Sequence, residues 1–299
     1  MEKIMELCER YQYPQEAKAD IRRIYEQVTG RDETRELLWK AEALLFGEPK
    51  INPKDYLNIV DHAAELTGIH SYQLYLVFYL AACERLKQCY EEKGISPAIF
   101  YDTMEDLLFK ARECKTVEGF YGVFCPTWYY GFFRMERFAL GRLQYELCEL
   151  SSDYTVGGRV LKAGTLAANC HIPSSGRPFD EAARLASYKR AWEFFRERFP
   201  DGVMPITCYS WLLFPENEKI MPEGSNIVSF MKEFAIRKVI YDEKGSDLWR
   251  IFGKHYNGEL STFPADTRMR RNYLKWLTDG NMAGQGYGIF LFDGEKMVR

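Results

Sequence analysis

His171-Ile172-Pro173-Ser174-Ser175-Gly176-Arg177 gathers several groups able to do chemistry into one short stretch. His171 titrates near neutral pH and is a candidate general base, unless it only tethers the loop through ordinary hydrogen bonds. Ser174, Ser175 and Gly176 can offer O–H and N–H donors to a pyrophosphate, and Arg177 can supply positive charge. The stretch joins a strand-like run, Val160–Ile172, to an amphipathic helix, Asp180–Phe199, an order that aims a helix N-terminus at an anion. Asp180 is the natural N-cap of that helix, so its carboxylate takes part of the terminus and an anion would sit higher, in the turn. The alternative is a plain capped strand-to-helix loop.

Upstream, alternation along Leu140–Leu150 separates Leu143, Tyr145 and Leu147 from Arg142, Gln144 and Glu146. The second set either floors a polar cleft or is the solvent face of an antiparallel sheet. Asn169 and His171 share a face by the same rule. In Thr207-Cys208-Tyr209-Ser210-Trp211, Cys208 and Ser210 face one way and Tyr209 and Trp211 the other. A Cys208–His171 pair would be a nucleophile and its base if the fold brought them together; a core thiol is the alternative. Pro222-Glu223-Gly224-Ser225-Asn226 opens a helix that Ser225 or Asn226 can cap, and Asn226 can instead hold a ligand carbonyl. Arg268, Arg271 and Lys275 form a basic stripe that fits either a phosphate or a solvated face. Gly280, Gly284, Gly286 and Gly288 follow a helix and enter a strand, the reverse of a dinucleotide fingerprint.

The elements that must position these groups fall into two regions. Helical spacing marks Glu16–Thr29, Thr34–Phe46, Lys54–Leu66, Tyr72–Glu92 and Pro97–Cys114, with breaks at Gly30, Gly47-Glu48-Pro49, Gly68 and Gly94. This predicts a helical bundle over residues 1–118. From 119 to 299, strands and helices alternate. Leu140–Leu150 and Val160–Ile172 read as a hairpin with a long loop. Strand Ile206–Phe214, helix Gly224–Phe234, strand Arg237–Asp242, helix Ala265–Thr278 and strand Gly286–Phe292 follow. The fold class expected is α+β, a helical bundle followed by a mixed sheet with flanking helices. The aromatic stretch around Trp128, Tyr129 and Tyr130 falls at the border, where it would line a cleft or fill an interdomain core.

A hydrophobic content of 46% over 299 residues supports sizeable cores, and a formal charge of −3 with both signs mixed argues against a nucleic-acid surface. The most apolar run, Tyr72–Cys83, is too short to span a bilayer, and the first residues lack the apolar core of a signal peptide. Eight cysteines without a Cys-x-x-Cys pair, and four histidines without ligand spacing, point to buried free thiols rather than a metal site. The expected address is cytoplasmic.

Gly141-Arg142-Leu143-Gln144-Tyr145-Glu146, His171-Ile172-Pro173-Ser174-Ser175-Gly176, Cys208-Tyr209-Ser210-Trp211-Leu212-Leu213 and Gly224-Ser225-Asn226-Ile227-Val228-Ser229-Phe230 occur in this order. Together they resemble a two-domain bacterial acyltransferase family with a helical N-terminal domain and a GNAT-like C-terminal domain, over essentially the whole chain. The resemblance implies an acyl-CoA-dependent N-acyltransferase, with acetyl-CoA or another acyl-CoA as donor and a small-molecule or peptide amine as acceptor. It places the CoA pyrophosphate in the turn of Ser174, Ser175, Gly176 and Arg177. Ser-Ser-Gly-Arg stands there in place of the usual Gln/Arg-x-x-Gly-x-Gly/Ala loop, so a catalytically inactive ligand- or protein-binding module is the rival reading. Glu146 matches the strand glutamate that serves as base, Tyr209 is a candidate for protonating the leaving thiolate, and Arg142, Gln144, Trp128 and Asn226 are candidate substrate contacts. Neither membrane nor nucleic acid is implied, and the oligomeric state stays open.

Overall fold

The computed structural model describes residues 1–298, and the chain divides into two compact units, Met1–Phe138 and Ala139 onward. The first is helical: α1 Glu2–Arg10, α2 Gln15–Thr29, α3 Asp32–Phe46, α4 Pro53–Thr67, α5 Ser71–Glu92, α6 Pro97–Met104, α7 Asp106–Glu118 and the short α8 Tyr129–Phe133. Its helix ends follow local chemistry. Asn52 caps α4 by accepting from the Lys54 N–H, Pro53 sits at the first helical position, and Gly68 closes the helix in the left-handed conformation, φ 68°.

Along α5 the residues from Leu74 to Leu80 are all buried, which makes it the central helix of this unit. Tyr56 and Tyr79 pair their hydroxyls at 2.9 Å within that core. Among the described residues, no helix is long and apolar enough to cross a membrane. The helix expected over Pro97–Cys114 is two helices. At Glu105 the carbonyl receives the N–H of both Leu108 and Phe109, a local tightening that apolar spacing does not register.

The second unit is built on one sheet. Its strands are β1 Arg137–Leu140, which starts in the last two residues of the first unit, β2 Leu143–Glu149, β3 Tyr154–Val156, β4 Arg159–Leu161, β5 Leu166–His171, β6 Met204–Ser210, β7 Ala235–Asp242, β8 Ala283–Phe292 and β9 Met297–Val298. The helices are α9 Glu181–Phe195, α10 Asn217–Ile220, α11 Asn226–Met231, α12 Trp249–Phe252 and α13 Arg268–Thr278. The main sheet runs β1-β2-β5-β6-β8-β7, with β9 on β8 and with β3 and β4 forming a separate two-stranded ribbon. β5 and β6 are parallel, while β2–β5, β6–β8 and β7–β8 are antiparallel. The class is α+β with a mixed sheet, as expected.

Several element bounds differ for local reasons. The run Leu140–Leu150 is cut at Gly141, φ 91°, so that β1 ends and β2 begins. The hairpin of β2 and β5 forms, but its loop carries the ribbon β3–β4, turned at Gly157-Gly158 with φ 53° and 71°. Strand β6 stops at Ser210, whose hydroxyl accepts the Leu212 N–H and starts a 3-10 turn over Trp211–Leu213.

The glycines entering β8 have a packing role. A Cβ at Gly286 would lie 2.0 Å from the Leu213 carbonyl oxygen, and one at Gly288 would lie 2.7 Å from Phe234 Cβ. Their absent side chains let the 3-10 turn after β6 and the residues just after α11 lie directly on the strand.

Candidate active site

Strand alternation and register give the sheet two faces of opposite character. On one, here called the helical face, Leu143 and Tyr145 are buried against α9: Ser187 Oγ receives the Leu143 N–H at 3.0 Å and lies 3.1 Å from the Tyr145 hydroxyl. Phe290 packs on Tyr188 and Phe234 with ring centroids 5.0 and 4.9 Å apart. Between α9 and α11, fully buried Arg184 donates to Glu233 Oε1, to Ser229 Oγ at 2.9 Å and to the Phe179 carbonyl at 2.7 Å. Tyr188 donates to Glu233 Oε2 at 2.6 Å. Burial pushes the Glu233 carboxyl up, against the lowering effect of these donors.

On the other, polar face the register brings four candidate side chains together. Gln144 stands opposite His171 and Glu146 opposite Asn169 across β2–β5, and Asn169 stands opposite Thr207 across β5–β6. His171 Nε2 lies 2.9 Å from Glu146 Oε1, with the two side chains 19% and 25% exposed, so the pair is sheltered yet reachable. Asn169 Nδ2 donates to the same oxygen at 3.3 Å and lies 3.2 Å from His171 Nε2. Thr207 donates to Asn169 Oδ1 at 3.2 Å, and Cys148 Sγ lies 3.9 Å from Thr207 Oγ1. Tyr209 shares this face two residues beyond Thr207 and is exposed. Burial, then Asp247 and Asp242, hold its hydroxyl above the ordinary tyrosine value.

Alternation puts Cys208 on the helical face, wholly buried, and His171 on the polar one. The thiol and the imidazole are thus on opposite sides of the sheet, which removes the Cys208–His171 nucleophile reading. Thr207 is absent from the candidates that residue type suggests, although the same alternation, stepped back from Tyr209, reaches it.

β5 and β6 pair at Ala168↔Ile206 and Asn169↔Thr207 and are not paired beyond, so their C-terminal ends part next to His171. In sheets with parallel strands, such a gap at the carboxyl ends is where ligands enter. The loop that follows β5 is braced from below. Arg142 donates to the Pro173 carbonyl at 3.0 Å and the Pro178 carbonyl at 3.1 Å, and its guanidinium lies 5.0 Å from the Phe179 ring. Desolvation, then the nearby Arg177, lowers the Arg142 pKa. Arg142 thus directs these donors at backbone carbonyls of the loop.

Ser175 Oγ accepts the Arg177 N–H at 3.3 Å, and Gly176 holds φ 70°. Asp180 caps α9 by accepting the Ala183 N–H at 2.9 Å, as its position in the sequence predicts. Ser225, not Asn226, caps α11, and Asn226 is exposed on its first turn. Trp128 belongs to the helical unit, where the Arg137 guanidinium lies 3.6 Å over its ring. In the basic stripe, Arg271 donates to the Ala265 and Asp266 carbonyls and Lys275 pairs with Asp279. No group of three or more His, Cys, Asp or Glu placed to hold a metal is present among the described residues.

The GNAT-like C-terminal domain model matches residues 138–290, and the N-acyltransferase N-terminal domain model matches residues 2–135. The chain belongs to this two-domain N-acyltransferase family. No curated protein matches it. Among solved structures, an acyltransferase in complex with decanoyl-CoA and teicoplanin shares the fold at a TM-score of 0.73 and 20% identity, covering 100% of this chain and 88% of that one. An acyltransferase mutant in complex with octanoyl-CoA does so at 0.74 and 21%, covering 97% and 87%.

Proposed function

We propose that the second unit transfers an acyl group from acyl-CoA directly to an amine, without a covalent enzyme intermediate. The observation that carries this reading is the 2.9 Å contact of His171 with Glu146 beside the parted ends of β5 and β6. An acceptor arrives as an ammonium ion and must lose a proton before its nitrogen can attack a thioester. With Nε2–H donated to Glu146, the basic lone pair of neutral His171 sits on Nδ1, and the carboxylate stabilises the imidazolium formed on proton uptake. The amine nitrogen bonds to the carbonyl carbon, the C–S bond breaks, the sulfur leaves as thiolate, and the second proton lost by the nitrogen restores the donor that protonates the thiolate. Tyr209, whose hydroxyl stays protonated across the neutral range, is the proposed proton donor to that thiolate. Gln144 shares the face of the pair but is 2% exposed, so it is not assigned an acceptor contact.

Donor binding is assigned to the loop of Ser174, Ser175, Gly176 and Arg177. The fit rests on placement: the loop follows β5 directly after His171, carries Arg177 and is held by Arg142 through the Pro173 and Pro178 carbonyls. The structural relatives hold acyl-CoA, which supports an acyl-CoA donor for this chain. Isothermal titration with acetyl-CoA and a longer acyl-CoA tests it, with micromolar binding expected. Absence of heat with both donors would overturn the transferase reading and leave the non-catalytic module in its place.

A further inference from the structure

We propose that Thr207 is a positioning residue that sets the resting protonation of the His171–Glu146 pair through Asn169. The proposal rests on the reading of His171–Glu146 as the base. Thr207 is 1% exposed on β6 and sits in register with Asn169 on β5. Its β-branched side chain has few rotamers on a strand, which fixes the hydroxyl. Asn169 Oδ1 can only accept, so the 3.2 Å contact has the threonine donating.

Thr207 at one end and the acceptor-only Glu146 carboxylate at the other hold the carboxamide one way round. With Oδ1 held by Thr207, the positive N–H end faces the pair, 3.3 Å from Glu146 Oε1 and 3.2 Å from His171 Nε2. An N–H directed at a carboxylate favours its ionised form, and the same positive end beside the imidazole disfavours the imidazolium. Both effects keep Glu146 charged and His171 neutral, the state in which it can accept a proton. A flipped amide would put its negative oxygen there and reverse both. Titratable groups on the same face include Cys148 on β2, Tyr209 on β6 and Tyr287 on β8, and the loop after β5 carries Arg177 and is held by Arg142. Burial pushes the Tyr287 hydroxyl up to about 12, so Tyr287 is neutral when His171 titrates.

The test is the titration of the His171 ring by NMR in the wild type, Thr207→Val and Thr207→Ser, with thermal melts beside it. Valine keeps the shape and deletes the donor, while serine keeps the donor. The expected result is a His171 pKa raised by about half a unit or more in Thr207→Val, an order of size typical for one reoriented hydrogen bond, and a wild-type value in Thr207→Ser. The acid limb of the kcat/KM profile should move to higher pH by the same amount in the valine variant alone. Equal His171 titration in wild type and Thr207→Val, both folded, would overturn the proposal. So would a shift as large in Thr207→Ser. The NMR readout needs no turnover, so a protein that shows the shift but transfers no acyl group would sink the base reading and not the threonine lock.

Discussion

Residues 207 to 210 place neighbours in the chain on opposite faces of one sheet, and the two faces do different things. On the helical face, Cys170, Cys208 and Tyr145 are buried, and burial drives the Tyr145 and Cys170 groups well above their ordinary pKa values. A nucleophile there is inert because neither solvent nor a base reaches it. One residue along, Glu146, Asn169 and His171 are half-buried and joined by hydrogen bonds. The polar face thus holds a sheltered titrating pair, while the helical face holds bulk, a buried ion pair and glycines pressed against backbone. Residue type alone does not mark a reactive group; the side of the strand does.

Five experiments sharpen or break this contrast. His171→Ala should lower the transfer rate by about 10²–10⁴-fold, the range for a general base, with acyl-CoA affinity by titration nearly unchanged. Retained turnover would show that the polar pair is not the base. On the helical side, Arg184→Ala leaves Glu233 buried without its cation and should cost about 3–5 kcal/mol in denaturant unfolding. A loss below about 1 kcal/mol, the level of an exposed pair, would mean this face is less closed than its burial indicates.

Gly286→Ala puts a methyl group against the Leu213 carbonyl and should cost about 1–3 kcal/mol as overpacking, read from the melting temperature. An unchanged melting temperature would show that the 3-10 turn can withdraw from β8. Ser175→Glu adds a negative charge to the loop between Arg142 and Arg177 and should weaken acyl-CoA binding about tenfold or more. Unaltered affinity would move the donor site elsewhere. The smallest effect concerns the thiols: under native alkylation, Cys148 on the polar face should label before Cys208. The reverse order by mass spectrometry would contradict the assignment of faces.

Much of the second unit is legible in the sequence. Alternation separates Leu143 and Tyr145 from Gln144 and Glu146, because a strand must turn successive side chains to opposite sides. Asp180 is readable as a cap, since a short acceptor before a helix meets its first N–H groups. The break between α6 and α7 is not legible, because the chain stays helical through Glu105 and only its hydrogen bonding changes. Arg142 looks like a substrate contact from alternation, yet its guanidinium holds the Pro173 and Pro178 carbonyls. A long side chain's target depends on what the fold brings within its reach.

The amino-acid sequence by itself determined the helical and mixed-sheet regions, the faces of β2 and β5, and the family, through local propensity, period and motif order. Only the tertiary structure decided which strands became neighbours. That pairing set Glu146 against His171, put Thr207 behind Asn169, parted β5 from β6 and sent Cys208 to the closed side. Register between distant strands is settled by burying whole faces at once, a condition no single segment carries.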